Sequence, residues 1–183
     1  MYSIKYQINM SILINRSNYI EQLEKLKDEH IIKVVTGLRR SGKSTLFEIF
    51  AGQIIYSGVS AKRVQQYNFE KPIFPEEYTW RDVYKDILAK TDKENMNYIF
   101  LDEVQKVQNF EEMVDSLFVK KNVDLYITGS NAFLLSGELA TLLSGRYIST
   151  NILPLSFSEY IQAFPEKNQD ELFRQYLNGT SFP

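Results

Sequence analysis

The sequence predicts an α/β fold, a parallel sheet with helices packed on both faces. Three observations predict it. Apolar runs of strand length alternate with segments of helical periodicity along most of the chain. One run, Tyr98-Ile99-Phe100-Leu101, is continuously apolar, as in a strand covered on both sides. A third signal is Gly37-Leu38-Arg39-Arg40-Ser41-Gly42-Lys43-Ser44-Thr45, a complete G-x-x-x-x-G-K-S loop set between an apolar run and a helix.

The elements follow in order. Asn18-x-x-Glu21 reads as a capping box, and Tyr19, Ile20, Leu23 and Leu26 recur at helical spacing, so a first helix is expected as far as Glu29. Ile31 to Val35 reads as a buried strand leading into the glycine loop. The helix after the loop runs through Ile54-Ile55-Tyr56 and stops near Gly58. Arg63 to Phe69 reads as a second strand, Pro72 to Pro75 as a loop, and Thr79-x-x-Asp82 opens a helix through about Ala89. Lys93-Glu94-Asn95 is a solvated turn before the third strand. Phe110 to Val119 is helical, Val123 to Thr128 a fourth strand, Phe133 to Leu143 a helix and Arg146 to Ile152 a fifth strand. After Pro154 the pattern changes: Ser156-x-x-Glu159 and Asn168-x-x-Glu171 introduce short amphipathic helices and no further strand. The expected division is 1–154 for a nucleotide-binding domain and 155–183 for the start of a helical lid. Gly179 to Pro183 is an odd stopping point, so that lid is expected to continue.

Composition narrows the classes. A chain of 183 residues suits one α/β domain with part of a second. Apolar content of 44% and aromatic content of 14% support a packed core. A net charge of −2 supplies no global field for nucleic acid, so such contact would need a local patch or a partner. The absence of cysteine excludes disulfides, thiolate catalysis and Cys-based zinc sites. Met1 to Asn15 alternates polar and apolar residues, unlike a signal peptide. Nothing approaches the ~20 apolar residues of a membrane span, and a cytoplasmic address is expected.

The glycine loop carries the chemistry. Its glycines let successive N–H groups point at phosphate oxygens, and the helix N-terminus adds its positive dipole end. Lys43 then reaches the β/γ-phosphates and the Ser44 hydroxyl ligates Mg²⁺, which implies a nucleoside triphosphate. Asp102-Glu103 closes the third strand. Asp102 at a strand's C-terminal edge can hold Mg²⁺ through water, and Glu103 can orient and deprotonate an attacking water. On an exposed loop such a pair is merely solvated; the apolar run before it favours function. A base at Glu103 favours hydrolysis over transfer to a bound acceptor. Ser130 and Asn131, past the fourth strand, suit either sensing of the γ-phosphate or capping of the next helix. Arg39 and Arg40 can touch phosphate, a second subunit or nucleic acid. Alone, Arg146 reads as a solvated surface residue, and His30 as a helix C-terminal charge.

Taken together, Leu38 to Ser44, Phe100 to Gln105, Tyr126 to Asn131, Leu143 to Tyr147 and Pro154-Leu155-Ser156-Phe157 form a set. It resembles the prokaryotic AAA+-superfamily ATPases, in which an AAA-type domain precedes an uncharacterised C-terminal region. The resemblance covers about Arg16 to Pro183. It implies a P-loop NTPase of the additional-strand type, a parallel five-stranded sheet in order 5-1-4-3-2, with ATP and Mg²⁺ as ligands. On this resemblance, Gly37 to Thr45, including Arg39, Arg40, Ser41, Gly42, Lys43 and Ser44, is the Walker A loop. Asp102-Glu103 is the Walker B pair, and Ser130 and Asn131 fall at the sensor-1 position. Arg146 falls where an arginine finger reaches a neighbour's γ-phosphate, which implies a homo-oligomer with Arg146 acting in trans. Asn68 matches a position that in some relatives holds the catalytic Glu inactive. No complete lid or sensor-2 arginine is identified.

The expected function is Mg-dependent ATP binding and hydrolysis coupled to a C-terminal effector region. The alternative is a nucleotide-gated regulatory module with little turnover. A helicase motor is disfavoured although Asp102 to Gln105 fits D-E-x-Q, because the chain is too short for two motor domains and shows no basic–aromatic face. A GTPase would carry N-K-x-D, and small-molecule kinases usually lack a base at Glu103.

Overall fold

The computed structural model of the protein describes residues 14, 16–71, 78–129, 143 and 145–178. Five parallel strands form one sheet: β1 (Ile32–Gly37), β2 (Val64–Asn68), β3 (Asn97–Asp102), β4 (Val123–Thr128) and β5 (Tyr147–Ile152). Their spatial order is β2-β3-β4-β1-β5, which is the expected 5-1-4-3-2 read from the other edge. The described helices are α1 (Ser17–Leu26), α2 (Lys43–Tyr56), α3 (Trp80–Lys90), α4 (Phe110–Phe118), α5 (Phe157–Gln162) and α6 (Gln169–Asn178).

Burial explains the order. Every residue of β1, β3 and β4 is buried, so these are the interior strands. The edge strands β2 and β5 carry polar residues such as Gln66, Ser149 and Asn151 on exposed positions. The two-residue side-chain period sends Ile99 and Leu101 into a cluster with Val83, Ile87, Met113 and Leu117 from α3 and α4. Tyr98 and Phe100 enter the opposite cluster with Leu23 of α1 and Phe47 and Phe50 of α2. There Phe100 stacks on Tyr126 at 4.5 Å between centroids, and Phe47 meets Phe100 edge-on at 5.1 Å.

This topology gathers chemistry at one sheet edge. Leu101 pairs with Ile127 and Val35 with Thr128, so Gly37, Asp102 and Thr128 end three strands side by side. The opposite edge holds a buried charge network. Lys33 of β1 pairs with Asp124 of β4, and both side chains are 1% exposed. Lys33 Nζ also donates to the Glu29 carbonyl at 2.6 Å. Asp124 Oδ2 accepts the Asp28 N–H at 2.9 Å and the Tyr126 hydroxyl at 2.8 Å.

Two expected helix starts form as predicted: Thr79 with Asp82, and Ser156 with Glu159, make reciprocal capping boxes. The Asn18–Glu21 box does not form. The N-cap of α1 is Arg16, without a side-chain cap bond, and the helix ends at Leu26 rather than Glu29. Tertiary contacts override periodicity there. Asp28 sits at φ +65°, its N–H drawn to Asp124 and its carboxylate to the Tyr98 hydroxyl at 2.7 Å. Arg63 belongs to a single 3₁₀ turn before β2 instead of the strand itself. The expected helix Phe133 to Leu143 and the loop Pro72 to Pro75 lie largely or wholly outside the described residues.

Candidate functional site

The glycine loop leaves β1 through Gly37 at φ +157°, pressed against β5. A Cβ there would stand 2.5 Å from the Ile152 carbonyl oxygen and 2.7 Å from Ser41 Oγ, so a side chain could not enter without shifting backbone. Arg40 at φ +65° and Gly42 at φ +89° then curl the chain into α2. Gly42 caps that helix with no side chain of its own, which leaves the first-turn N–H groups facing the cleft for a ligand.

Lys43 folds over the loop it belongs to. Its side chain is 4% exposed, and Nζ donates to the Leu38 carbonyl at 3.2 Å and the Gly37 carbonyl at 3.4 Å. Glu103 Oε1 lies 3.5 Å from the same nitrogen. Beside it, the Ser41 hydroxyl oxygen is buried without a hydrogen-bond partner. A buried polar atom left unpaired is costly unless a ligand completes it. Loop, lysine and glutamate border a cleft of about 490 Å³, whose apolar lining includes Ile14, Ile49 and Leu155.

The acidic wall comes from the ends of β3 and β4. Asp102 Oδ2 accepts Asn68 Nδ2 at 2.7 Å, and Oδ1 accepts the Thr128 hydroxyl. Ser44 and Asp102 line one adjoining cleft, which brings the glycine loop beside the end of β3. Burial pushes the Asp102 carboxyl above its ordinary range; the nearby Ser44 and Thr128 hydroxyls and the Lys43 charge draw it back only in part. A hydroxyl beside a dehydrated carboxylate is a hard-oxygen donor set, the kind that suits Mg²⁺. Glu103 stands at φ +56°, its N–H donating to Thr128 Oγ1 at 2.9 Å. Gln105 Nε2 donates to Glu103 Oε2 at 2.5 Å, leaving Oε1 toward Lys43.

Most of the sequence-predicted residues therefore converge. Arg39, Arg40, Ser41, Gly42, Lys43, Ser44, Thr45 and Glu103 line the cleft; Gly37 meets it through its carbonyl, which accepts Lys43 Nζ, and Asp102 lines an adjoining cleft with Ser44. Arg39 Nη2 is held at the rim by Glu70 Oε1 at 2.9 Å. Ser130 and Asn131 lie outside the described residues. Arg146 is not brought to this cleft. Its carbonyl accepts the N–H of Ile32, the first residue of β1, which puts it at the opposite sheet edge. Its guanidinium sits on Asp115 at 2.5 Å and over the Phe118 ring, on which His30 also stacks. Asn68 reaches Asp102 rather than Glu103.

Three partners escaped the sequence reading. Gln105 follows Glu103 by two residues through a single 3₁₀ turn, Val104–Lys106, and the D-E-x-Q spacing was a usable signal for it. From the sequence, Thr128 reads only as a strand end. Arg16 reaches the loop from 25 residues upstream, and no local pattern announces it.

Residues 29–161 match a family model described as an AAA domain. An uncharacterised protein of Haemophilus influenzae is 40% identical over 180 residues, which cover 93% of this chain and 44% of that protein. An uncharacterised protein of Methanocaldococcus jannaschii is 34% identical over 136 residues, covering 72% of this chain and 28% of that one. The chain thus spans less than half the length of these relatives. Among solved structures, Cdc6p from Pyrobaculum aerophilum has a TM-score of 0.60 at 12% identity, covering 93% of this chain and 55% of that chain. The Walker-type ATPase of Pyrococcus abyssi has a TM-score of 0.56 at 14% identity, covering 92% and 64% respectively. At such identities the likeness is one of fold. No described helix is long and apolar enough to cross a membrane.

Proposed function

The chain belongs to the AAA domain family, and on that premise we propose that it binds ATP with Mg²⁺ and hydrolyses the terminal phosphate. The observation that carries this reading is the meeting of two residues that open α2 with two at the end of β3. Lys43 lies 3.5 Å from Glu103, and Ser44 shares a cleft with Asp102 at the end of β3.

In this reading the N–H groups of Gly37 to Thr45 cradle the phosphates, and Lys43 exchanges its carbonyl partners for the β/γ-phosphate oxygens. Ser41 and Thr45 complete the cradle, with Arg39 and Arg40 at its rim. Ser44 and Asp102 are the residues that would hold Mg²⁺, which when bound neutralises charge developing on the phosphate oxygens. Glu103 orients the attacking water and takes its proton on Oε1, the oxygen that Gln105 leaves free. Ser130 and Asn131 are assigned to sensing the γ-phosphate. Arg146 is assigned to a neighbouring subunit's site in a homo-oligomer, because it faces away from the cleft of its own chain. The division at 154/155, coupling to a C-terminal effector region and a cytoplasmic address complete the proposal.

The test is Glu103→Gln. Hydrolysis should fall by about 10²–10⁴-fold while ATP binding persists, as for loss of a general base. Wild-type turnover in this variant would overturn the assignment.

A second reading, a nucleotide-gated regulatory module with little turnover, is favoured by one feature. Arg146 is engaged by Asp115 far from the cleft, so this arginine does not serve as a finger for the site of its own chain. Phosphate release measured against protein concentration separates the two readings. Turnover that rises with assembly and disappears in Arg146→Ala supports the ATPase; absent multiple turnover at every concentration supports the module.

A further inference from the structure

We propose that Arg16 and Glu159 form a positioning strut that sets the conformation of the glycine loop and ties its nucleotide affinity to the docking of α5. The inference rests on the nucleotide-binding reading above and extends it to regulation.

Arg16 is 6% exposed, unusual for an arginine, and its guanidinium is engaged at both ends. Nη1 donates to the Ser41 carbonyl at 2.9 Å. Nε and Nη2 donate to the two carboxylate oxygens of Glu159 at 2.9 and 3.4 Å, a fork that fixes the guanidinium plane. The Tyr19 ring lies 4.6 Å from the guanidinium carbon. Glu159 in turn belongs to the capping box of α5, accepting Ser156 N–H at 2.8 Å. Burial opposes ionisation of Glu159, yet the hydrogen bonds from Arg16 and Ser156 hold its carboxyl below the ordinary range.

The consequence follows from peptide geometry. The Ser41–Gly42 peptide is planar, so pinning the Ser41 carbonyl turns the Gly42 N–H to the other side, away from Arg16. That N–H is one of the donors a phosphate would meet. The strut thus spans 143 residues of sequence and presents a loop donor according to where α5 sits. By thermodynamic reciprocity, a nucleotide that needs the pinned loop also stabilises α5 in its docked place. Arg16 borders the cleft, whereas Glu159 does not, so effects of Glu159 substitutions on affinity are transmitted rather than direct.

The experiment uses the whole chain, with Mg·ATP and a fluorescent ADP as probes, and compares wild type with Glu159→Gln and Arg16→Lys. Each variant keeps a polar side chain of similar length but loses the charge-matched fork. Probe affinity should weaken about tenfold in either variant, and the double variant should weaken no further. In wild type, nucleotide should slow amide exchange across 156–162; in Glu159→Gln that protection should vanish. A lowered melting temperature with unchanged affinity and unchanged exchange coupling would make the pair merely structural and overturn the inference. A wild-type chain that binds neither probe would overturn the nucleotide reading itself, and the strut with it.

Discussion

Two of the described lysines are buried, one in the sheet and one at the start of α2, and they are held in opposite ways. Lys33, at the N-terminal edge, has a paired carboxylate and a backbone carbonyl at 2.6 Å, and its Asp124 partner has two further donors. Lys43, at the C-terminal edge, has carbonyls at 3.2 and 3.4 Å and a carboxylate at 3.5 Å. The first network is complete within the protein. The second is stretched and lies beside an unpartnered hydroxyl on Ser41, whereas burial raises the carboxyls of Asp124 and Asp102 alike. Buried charge alone does not mark a functional site; incomplete satisfaction of buried charge does.

The largest way to break this contrast is Lys33→Met. It strands Asp124 in the core, and unfolding in urea should show a loss of about 3–5 kcal/mol. Replacing both partners, Lys33→Met with Asp124→Leu, should recover part of that loss, because no uncompensated charge remains although the Tyr126 hydroxyl and Asp28 N–H lose their acceptor. If the double variant stays as unstable as the single one, the network does more than satisfy itself.

Lys43→Met should show the reverse profile. Probe nucleotide binding should weaken by about a hundredfold, while unfolding free energy changes by about 1 kcal/mol or less, since the bonds lost are long. A large stability loss here would erase the distinction between the two lysines.

The smallest effect concerns pH. The Asp102 carboxyl titrates above its ordinary 3.8 in the folded, nucleotide-free chain. Between those two values the native state binds more protons than the unfolded one. The stability contributed by protonated Asp102 is therefore full below about pH 3.8 and lost as pH rises through the raised value. Subtracting the pH–stability curve of Asp102→Asn from that of wild type should isolate this decline. Saturating Mg²⁺ and nucleotide should flatten it, because a cation favours the ionised carboxylate.

The same contrast explains what the sequence could disclose. The interior strands were legible because burial on both faces removes polar residues, as in Tyr98 to Leu101. The glycine loop and Asp102-Glu103 were legible because their chemistry needs fixed residue types at short spacing. Lys33 and Asp124 were not singled out, although opposite charges near the starts of two apolar strands were a usable clue. Arg16 gave no clue at all. Its partners lie 25 and 143 residues away, and only the folded chain joins them. The end of α1 was misjudged for the same reason, since Asp28 answers to Asp124 and Tyr98 rather than to helical periodicity.

The left-handed backbone of Glu103 has a consequence for selection. A residue other than Gly, Asn or Asp at φ +56° carries a conformational penalty of about 1–2 kcal/mol. A randomised library sorted only for heat resistance should therefore drift at position 103 toward Asn or Gly. The same library sorted for phosphate release should keep glutamate and retain the strain. Position 103 is where durability and turnover pull the amino-acid choice in different directions.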